Sequence, residues 1–313
     1  MTGGALLFPG QGSQFAGMGK DLAAAFPESR AVYDRADAAL APLGFSVSRT
    51  SFEGTDEELK QTAVTQPAIL THSVAVWEIL KARGLAPVVA AGHSLGEYSA
   101  LVAAGALTLE DAVVLVRRRG LFMQEAVPVG QGAMSAVLGL PASDVTAACA
   151  EVAVATGEAC SPANFNSPEQ TVIAGTAGAV ARASELLKTK GAKRVLPLPV
   201  SAPFHCALMK PAEERLAPFL DAMPFGPMAF PVVTNAGAEA NRDPGAAREA
   251  LKRQVCAPVR WVESAQLLVT RATEGIESGP GTVLAGLVKR IVREWTVRAT
   301  SDAAGVLRLF EPA

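Results

Sequence analysis

The sequence predicts an α/β fold, in which helices cover both faces of a mostly parallel sheet and a smaller unit is inserted into the chain. Short apolar runs alternate with stretches of helical spacing in the first third of the chain, an order typical of parallel sheets. Residues 128–200 then change to the order β-α-β-β-α-β. With 313 residues, of which 50% are hydrophobic, the chain is long enough to bury a large core.

The first third of the chain contains the strands and helices that predict the parallel sheet. Two short apolar runs bounded by Gly or Pro predict buried strands: Ala5–Phe8 and residues 87–91. Three stretches of helical spacing predict helices: residues 21–40, 66–83 and 94–104. The second of these helices is expected to end with Gly84 as its C-terminal cap.

The inserted unit follows the order of a ferredoxin-like fold. Its predicted strands are residues 132–140, 158–164, 171–175 and 194–200. Its predicted helices are residues 142–154, with Ser143 as the capping candidate, and residues 179–190, ended by Gly191. We therefore predict a large α/β subdomain of residues 1–127 and 201–313 and a small ferredoxin-like subdomain of residues 128–200.

The pattern G-x-S-x-G occurs as G-H-S-L-G at residues 92–96, between a predicted strand and a predicted helix. This is the setting of a nucleophile elbow, so the large subdomain is expected to be hydrolase-like, with Ser94 as nucleophile. Glycines suit the elbow because backbone packs against backbone there. The helix N-terminus behind Ser94 favours negative charge. The alternative is an ordinary strand-to-helix turn with a capping serine.

A serine hydroxyl needs a base, and the chain has only 3 histidines. His72 lies in an apolar helix and is expected to be a core or surface group. His93 adjoins Ser94, but neighbouring side chains on a sharp turn diverge. Elimination therefore leaves His205, in the loop after the last strand of the inserted unit, as the candidate general base.

Composition excludes several classes of function. The formal net charge of −2 leaves no overall basic excess for nucleic acid or an anionic membrane, and no apolar run is long enough to span a bilayer. The 4 cysteines have neither metal-ligand spacing nor the density of a disulfide framework, which favours thiols in a reducing cytoplasm. No phosphate-binding G-x-x-x-x-G-K-[ST] motif occurs. We expect no metal and no cofactor.

Together these features resemble the malonyl-CoA:acyl carrier protein transacylases and, more distantly, the acyltransferase domains of polyketide synthases. The resemblance covers nearly the whole chain. Its motifs are F-P-G-Q-G-S-Q at residues 8–14, G-H-S-L-G-E-Y at 92–98, Arg119-Gly120 with Met123-Gln124, N-F-N-S-P at 164–168, P-F-H at 203–205, Gln254 before Pro258-Val259, and E-S-G-P-G at 277–281.

The resemblance implies a ping-pong reaction through an ester on Ser94. It implies that Ser94 attacks malonyl-CoA with His205 as base, and that the phosphopantetheine thiol of holo acyl carrier protein then takes the malonyl group. It also implies an oxyanion hole from the backbone N–H groups of Gln11 and Leu95, which elbow geometry independently favours for Leu95. Finally, it implies that the backbone carbonyl of Gln254 orients His205 in place of an acid.

Selection of malonyl over acetyl requires a cation for the free carboxylate, and guanidinium binds a carboxylate bidentately. The resemblance assigns this role to Arg119, the last of three consecutive arginines, which would otherwise be a solvated basic helix end. In related polyketide acyltransferases, a phenylalanine in the place of Phe204 and an aliphatic residue in the place of Leu95 go with selection of malonyl rather than methylmalonyl. We expect Met123 and Asn164 to line the same pocket.

Three other functions remain open from the sequence: an acyl-thioester hydrolase on the same scaffold, a discrete polyketide acyltransferase acting in trans, and a non-enzymatic binding module. An acidic carrier protein would need a local basic patch, since the whole chain is slightly acidic. The candidates for that patch are Lys193 and Arg194, with Lys188 or Lys190 before them.

Overall fold

A computed structural model describes residues 3–200 and 202–311. The described part of the chain contains ten strands: β1 (Ala5–Phe8), β2 (Val89–Gly92), β3 (Gly132–Leu138), β4 (Cys160–Ser167), β5 (Gln170–Thr176), β6 (Arg194–Pro197), β7 (Val232–Val233), β8 (Ala240–Asn241), β9 (Gly275–Glu277) and β10 (Val297–Ala299). Residue 201, where the second segment of the predicted large subdomain begins, lies outside the described residues.

The same residues form fourteen α-helices and two short 3₁₀ turns. The helices are α1 (Lys20–Ala25), α2 (Pro27–Leu40), α3 (Val47–Glu53), α4 (Asp56–Lys60), α5 (Thr62–Ala82), α6 (Gly96–Ala104), α7 (Leu109–Glu125), α8 (Ala142–Thr156), α9 (Ala177–Thr189), α10 (Lys210–Ala222), α11 (Pro244–Gln254), α12 (Trp261–Val269), α13 (Val283–Ile291) and α14 (Ala303–Leu309).

The larger sheet has six strands in the order β10-β9-β1-β2-β7-β8, and every pairing except β7–β8 is parallel. Successive residues of a strand point to opposite faces. Leu6 and Phe8 accordingly enter one core with helices such as α5 and α7, whereas Ala5 and Leu7 enter another with α12 and α13. Burial on both faces explains the continuous apolar runs, and the predicted α/β class is confirmed.

The smaller sheet has four antiparallel strands in the order β4-β5-β3-β6. Helices α8 and α9 cover one face and share a separate core with it. This is the strand order of a ferredoxin-like unit. The exact boundaries predicted for the two subdomains, 127/128 and 200/201, stay a prediction.

Strand β4 also joins the small sheet to the rest of the protein. The Phe165 N–H donates to the Val259 carbonyl at 2.9 Å, and the Val259 N–H donates to the Ala163 carbonyl at 2.8 Å. Val259 lies five residues after the end of α11, so the small sheet is hydrogen bonded to the segment that follows this helix.

Two local predictions were wrong. The single helix predicted for residues 21–40 is two helices, because Phe26 is extended (φ −132°, ψ 119°) before Pro27, whose ring disfavours helical backbone in the preceding residue. Ser143 is not the cap of α8: the helix begins one residue earlier, with Pro141 in the capping position. Other predicted bounds differ from the observed ones by a few residues.

Helix α5 is buried along most of its length and lies close against α7. A Cβ on Gly120 of α7 would lie 2.7 Å from both the Ala63 Cα and the Thr62 carbonyl oxygen, so only glycine permits this approach. Pro67 leaves the Ala63 carbonyl without its helical donor, and the Arg117 guanidinium donates to that carbonyl at 2.6 Å. The contact brings the neighbouring Arg119 against α5.

We predict that Gly120→Ala destabilises the protein by roughly 1–3 kcal/mol, because the new methyl group meets backbone that cannot yield. Gly286→Ala is the matched control: Gly286 also lies within a helix, but its Cβ would have nothing within 4 Å. The control should gain up to about 1 kcal/mol from helix propensity. Urea unfolding of the three proteins measures both changes, and equal stabilities for the two variants would contradict the close approach.

Candidate active site

The turn between β2 and α6 is a strained elbow. Ser94 has φ +52°, in the left-handed region that non-glycine residues rarely occupy. A Cβ on Gly92 would lie 1.8 Å from the Gly96 carbonyl carbon, and one on Gly96 would lie 2.0 Å from the Phe8 oxygen. Both flanking glycines are therefore required by direct backbone packing, and they hold Ser94 at the end of the sheet.

Asn235, in the loop after β7, holds both sides of this elbow. Its Oδ1 accepts from the Ser94 N–H at 2.6 Å, and its Nδ2 donates to the Gly92 carbonyl at 2.6 Å. Sequence reasoning missed Asn235. The available signal was a polar side chain directly after a short apolar run, at the sheet edge where parallel strands end.

The structure places His205 against Ser94. The Ser94 Oγ and the His205 Nε2 are 2.7 Å apart. On the other side of the ring, Nδ1 lies 2.9 Å from the Gln254 carbonyl and 3.2 Å from the Ala257 carbonyl. Carbonyl oxygens only accept, so Nδ1 carries the proton and Nε2 presents its lone pair to the serine hydroxyl.

Burial, followed by the positive charge of Arg119, lowers the pKa of His205 to about 3. The imidazole is therefore neutral at physiological pH and able to accept a proton. The other two histidines take no part in this contact. The His93 Nε2 lies 2.8 Å from the Asn166 Oδ1, and His72 is buried in α5 outside the cavity.

Arg119 lies beside the serine with a side chain that is 1% exposed. Its Nη2 donates to the Ser94 Oγ at 3.2 Å and to the Gln254 Oε1 at 3.0 Å, and its Nη1 donates to the Gln66 Oε1 at 2.9 Å. The guanidinium also lies 5.5 Å from the centre of the Tyr98 ring. No carboxylate of the residues described lies within 4 Å of it, so it forms no direct ion pair with them. Burial lowers the pKa of Arg119, and the more distant charge of Glu97 partly opposes this effect.

The two neighbouring arginines have other positions. Arg117 donates to α5 and lies over the ring of Phe45 at 4.4 Å, and Arg118 lies over the ring of Phe219 at 4.1 Å. Only the third arginine of the run therefore points at the serine. Consecutive residues of an α-helix point about 100° apart around its axis, because each turn contains about 3.6 residues.

A buried carboxylate, Glu97, lies behind the serine. Its Oε2 accepts from the Gln254 Nε2 at 2.8 Å and from the Asn235 N–H at 2.9 Å. The Gln254 Nε2 also donates to the Ser94 carbonyl at 2.8 Å. Burial raises the pKa of Glu97 to about 7. Sequence reasoning missed Glu97 and the side chain of Gln254, although both lie within the motifs that carry the resemblance.

The backbone N–H groups of Gln11 and Leu95, both at the site, have no acceptor among the described residues. Leu95 directly precedes α6. Gln11 belongs to the loop after β1, which packs on the elbow because a Cβ on Gly10 would lie 2.4 Å from the His93 carbonyl oxygen. Unpaired N–H groups beside a nucleophile are the arrangement of an oxyanion hole.

A cavity of about 120 Å³ adjoins the serine. Its lining contains every residue expected in the acyl pocket: Arg119, Met123, Asn164, Leu95 and Phe204. The remaining lining residues are Gln11, Gln66, His93, Ser94, Met134, Leu198, Val200 and His205. Gln66 was missed by the sequence analysis, because nothing in an apolar helical pattern distinguishes it from a core position.

The predicted carrier-docking residues lie outside this cavity. Lys193 and Arg194 are exposed at the start of β6, in a groove of about 610 Å³ that Arg290 and Glu169 also line, and the Lys193 Nζ lies 3.4 Å from the Glu169 carboxylate. Lys188 and Lys190 form exposed ion pairs with glutamates.

Among residues 3–200 and 202–311, no group of three or more His, Cys, Asp or Glu side chains could hold a metal ion. No helix in these residues is long and apolar enough to cross a membrane.

Comparison with known proteins gives a consistent result. Residues 5–304 match the acyl transferase domain family. The chain is 48% identical over 308 residues to the malonyl CoA-acyl carrier protein transacylase of Salmonella typhimurium, covering 98% of each sequence. It is 49% identical over 299 residues to the protein of the same name from Bacillus subtilis, covering 95% of this chain and 93% of that one.

Solved structures of proteins with related names are similar to this chain along nearly its whole length. The acyl carrier protein S-malonyltransferase of Vibrio cholerae superposes with a TM-score of 0.93 at 46% identity, covering 97% of this chain and 99% of that one. A malonyl-transacylase solved in complex with its type II PKS acyl carrier protein also gives a TM-score of 0.93, at 47% identity and 97% coverage of both chains.

We predict that a small organophosphorus fluoride, which phosphorylates activated serines, labels Ser94 at a rate without a step near pH 6.5. The reason is that the pKa of His205, about 3, leaves the base unprotonated down to low pH. His205→Ala should lower the labelling rate roughly 10²–10⁴-fold, and His93→Ala, the control, should leave it near normal. Mass spectrometry of labelled peptides at several pH values measures both; a greater loss in the control would refute the assignment.

Proposed function

The chain belongs to the acyl transferase domain family and, within it, to the malonyl CoA-acyl carrier protein transacylases, and we propose that it moves malonyl from malonyl-CoA to holo acyl carrier protein. One observation carries the proposal: a strained serine is hydrogen bonded to a neutral histidine and to a buried arginine that has no carboxylate partner among the described residues. The product, malonyl-acyl carrier protein, serves fatty acid or polyketide synthesis.

The first half-reaction forms the acyl-enzyme. The Ser94 Oγ attacks the thioester carbon of malonyl-CoA while its proton passes to the His205 Nε2. The negative charge that develops on the carbonyl oxygen is accepted by the backbone N–H groups of Gln11 and Leu95. The carbon–sulfur bond then breaks, and the proton on His205 passes to the sulfur, so that CoA leaves as a thiol.

The second half-reaction repeats these steps in reverse with a new thiol. The phosphopantetheine thiol of the carrier gives its proton to the His205 Nε2 and attacks the ester carbon. The same N–H groups hold the oxyanion, the Ser94 oxygen leaves, and His205 returns the proton to it. The carbonyls of Gln254 and Ala257 keep the Nδ1 proton in place throughout, so no acidic partner is required.

Arg119 binds the malonyl carboxylate. A carboxylate that leaves water for a buried pocket needs a fixed cation, and the guanidinium of Arg119 retains its charge for this purpose. Met123, Asn164 and Phe204 line the space around the acyl group. The aromatic ring of Phe204 fills volume that an α-methyl group would need, which favours malonyl over methylmalonyl.

The acidic carrier protein docks on the basic groove of Lys193, Arg194 and Arg290. These three side chains are exposed, so their charges act on the approach of the carrier rather than on the chemistry. We also place the protein in the cytoplasm. Its four cysteines are free thiols, which suits a reducing compartment.

We predict that brief exposure to malonyl-CoA adds one malonyl group to the peptide that contains Ser94. Ser94→Ala should retain the fold and lose both the adduct and all transfer, because the covalent intermediate cannot form. Intact-protein and peptide mass spectrometry detect the adduct. A malonyl group on another residue, or an active alanine variant, would sink the mechanism.

We predict that Arg119→Ala lowers kcat/KM for malonyl-CoA on the order of tenfold to several hundredfold, because charge-assisted bonds of roughly 1.5–3 kcal/mol each are lost. Use of acetyl-CoA should be equal or better, since no unpaired cation then opposes a neutral acyl group. Arg119→Lys should restore only part of the malonyl activity, because ammonium lacks the planar fork. Equal losses for both substrates would make Arg119 structural.

We predict that reversing charge in Lys193→Glu and Arg194→Glu raises KM for the carrier protein without changing the malonyl-CoA half-reaction. Lys81→Glu, at the far end of α5, is the control and should change neither. Carrier KM should also rise with salt, since exposed charges are screened. A carrier KM that is independent of salt and of both reversals would reject this groove as the docking site.

A further inference from the structure

The guanidinium of Arg119 is held by two neutral amides. Gln66 of α5 and Gln254 of α11 each present Oε1 to it, at 2.9 Å and 3.0 Å. Both glutamines are buried, at 2% and 0% exposed, so neither is a chance surface contact. A buried arginine is ordinarily paired with a carboxylate, because an uncompensated charge is costly to bury.

We infer that the neutrality of position 66 determines specificity: the Gln66 amide bonds to Arg119 without adding a negative charge, so the guanidinium stays available to an acyl group that carries its own carboxylate. This inference rests on the proposed function. It concerns Gln66, which holds the guanidinium, rather than Arg119 itself.

The second amide separates Arg119 from the buried carboxylate nearest to it in this hydrogen-bond network. Glu97 does not bond to Arg119; it accepts from the Gln254 Nε2, while the Oε1 of the same amide accepts from Arg119. The Arg119 Nε has no acceptor among the described residues. The guanidinium is thus held in place and still has donor capacity and charge to offer.

The surroundings of Gln66 determine which way its amide faces. Its Nε2 lies 3.8 Å from the Met123 sulfur, a weak acceptor, so Oε1 is the atom that faces Arg119. A glutamate at position 66 would have nearly the same shape and would keep an oxygen towards Arg119. It would lose only the contact with sulfur, and it would add one negative charge.

The added negative charge would neutralise the guanidinium of Arg119 before any substrate binds. Glutamate at position 66 would form an internal ion pair with Arg119, and an incoming malonyl carboxylate would face a pocket without net charge. Acetyl, which carries no carboxylate, would meet no such competitor. The residue at position 66 therefore decides whether the arginine selects for an acidic acyl group.

The test is Gln66→Glu, with Gln66→Met as the control of similar size that removes the anchor and adds no charge. We expect Gln66→Glu to lower kcat/KM for malonyl-CoA roughly tenfold to a hundredfold and to leave acetyl-CoA equal or improved. Gln66→Met should keep the malonyl-to-acetyl ratio near that of the unmodified protein. An unchanged ratio in Gln66→Glu overturns the inference, as does an equal loss for both substrates in both variants.

A second variant covers the case in which Gln66→Glu does not fold. In Gln66→Ala, added acetate should enter the vacated space beside the cavity and suppress malonyl use, whereas acetamide, its neutral counterpart, should not. Acetate should act more weakly on the unmodified protein; equal inhibition of the two proteins, or equal effects of acetate and acetamide, overturns the inference. If the unmodified protein forms no malonyl ester on Ser94, the proposed function itself fails, which is a separate result.

Discussion

Direct contact between backbone segments at the elbow is the constraint on which the site depends. Gly92 and Gly96 close the turn, and Gly10 lets the loop after β1 lie on the His93 carbonyl. This one arrangement holds the serine in a left-handed conformation and places the N–H groups of Leu95 and Gln11 beside it. The proposed nucleophile and the proposed oxyanion donors are thus positioned together, and a side chain larger than hydrogen at any of these glycines would disturb both.

The site is built almost without negative charge near its reactive atoms. Carbonyl oxygens orient the base, and amide oxygens hold Arg119, where carboxylates would serve in many other enzymes. Burial raises the pKa of Glu97 to about 7, and an amide lies between it and the guanidinium. Neutral acceptors orient His205 and Arg119 without forming an ion pair with the guanidinium, which leaves it free for the proposed contact with the substrate carboxylate.

Local spacing was enough to predict two of the six strands of the larger sheet, β1 and β2, the elbow, and the order of elements in the inserted unit, since each element depends on a local pattern. The short strands β7 to β10 were not predicted. Other features depend on contacts between distant parts of the chain. Gln254 meets the Ser94 carbonyl across 160 positions, and Asn235 meets Ser94 across 141, so local spacing does not reveal either contact. Among three adjacent arginines, only the tertiary packing of α7 selects Arg119. The break between α1 and α2 at Phe26, by contrast, could have been predicted locally, because a proline disfavours helical backbone in the residue before it.

The backbone hydrogen bonds between β4 and Val259 limit which segments can be exchanged between related proteins. Residues 128–200 are contiguous and have a core of their own, which suggests a cassette that could be grafted from one relative to another. Yet Ala163 and Phe165 share two backbone hydrogen bonds with Val259, two residues beyond the Ala257 carbonyl that faces His205. A chimera made at the predicted boundary of residues 128–200 would therefore separate β4 from the segment that contacts His205, and residues 254–259 would have to be transferred together with the small unit.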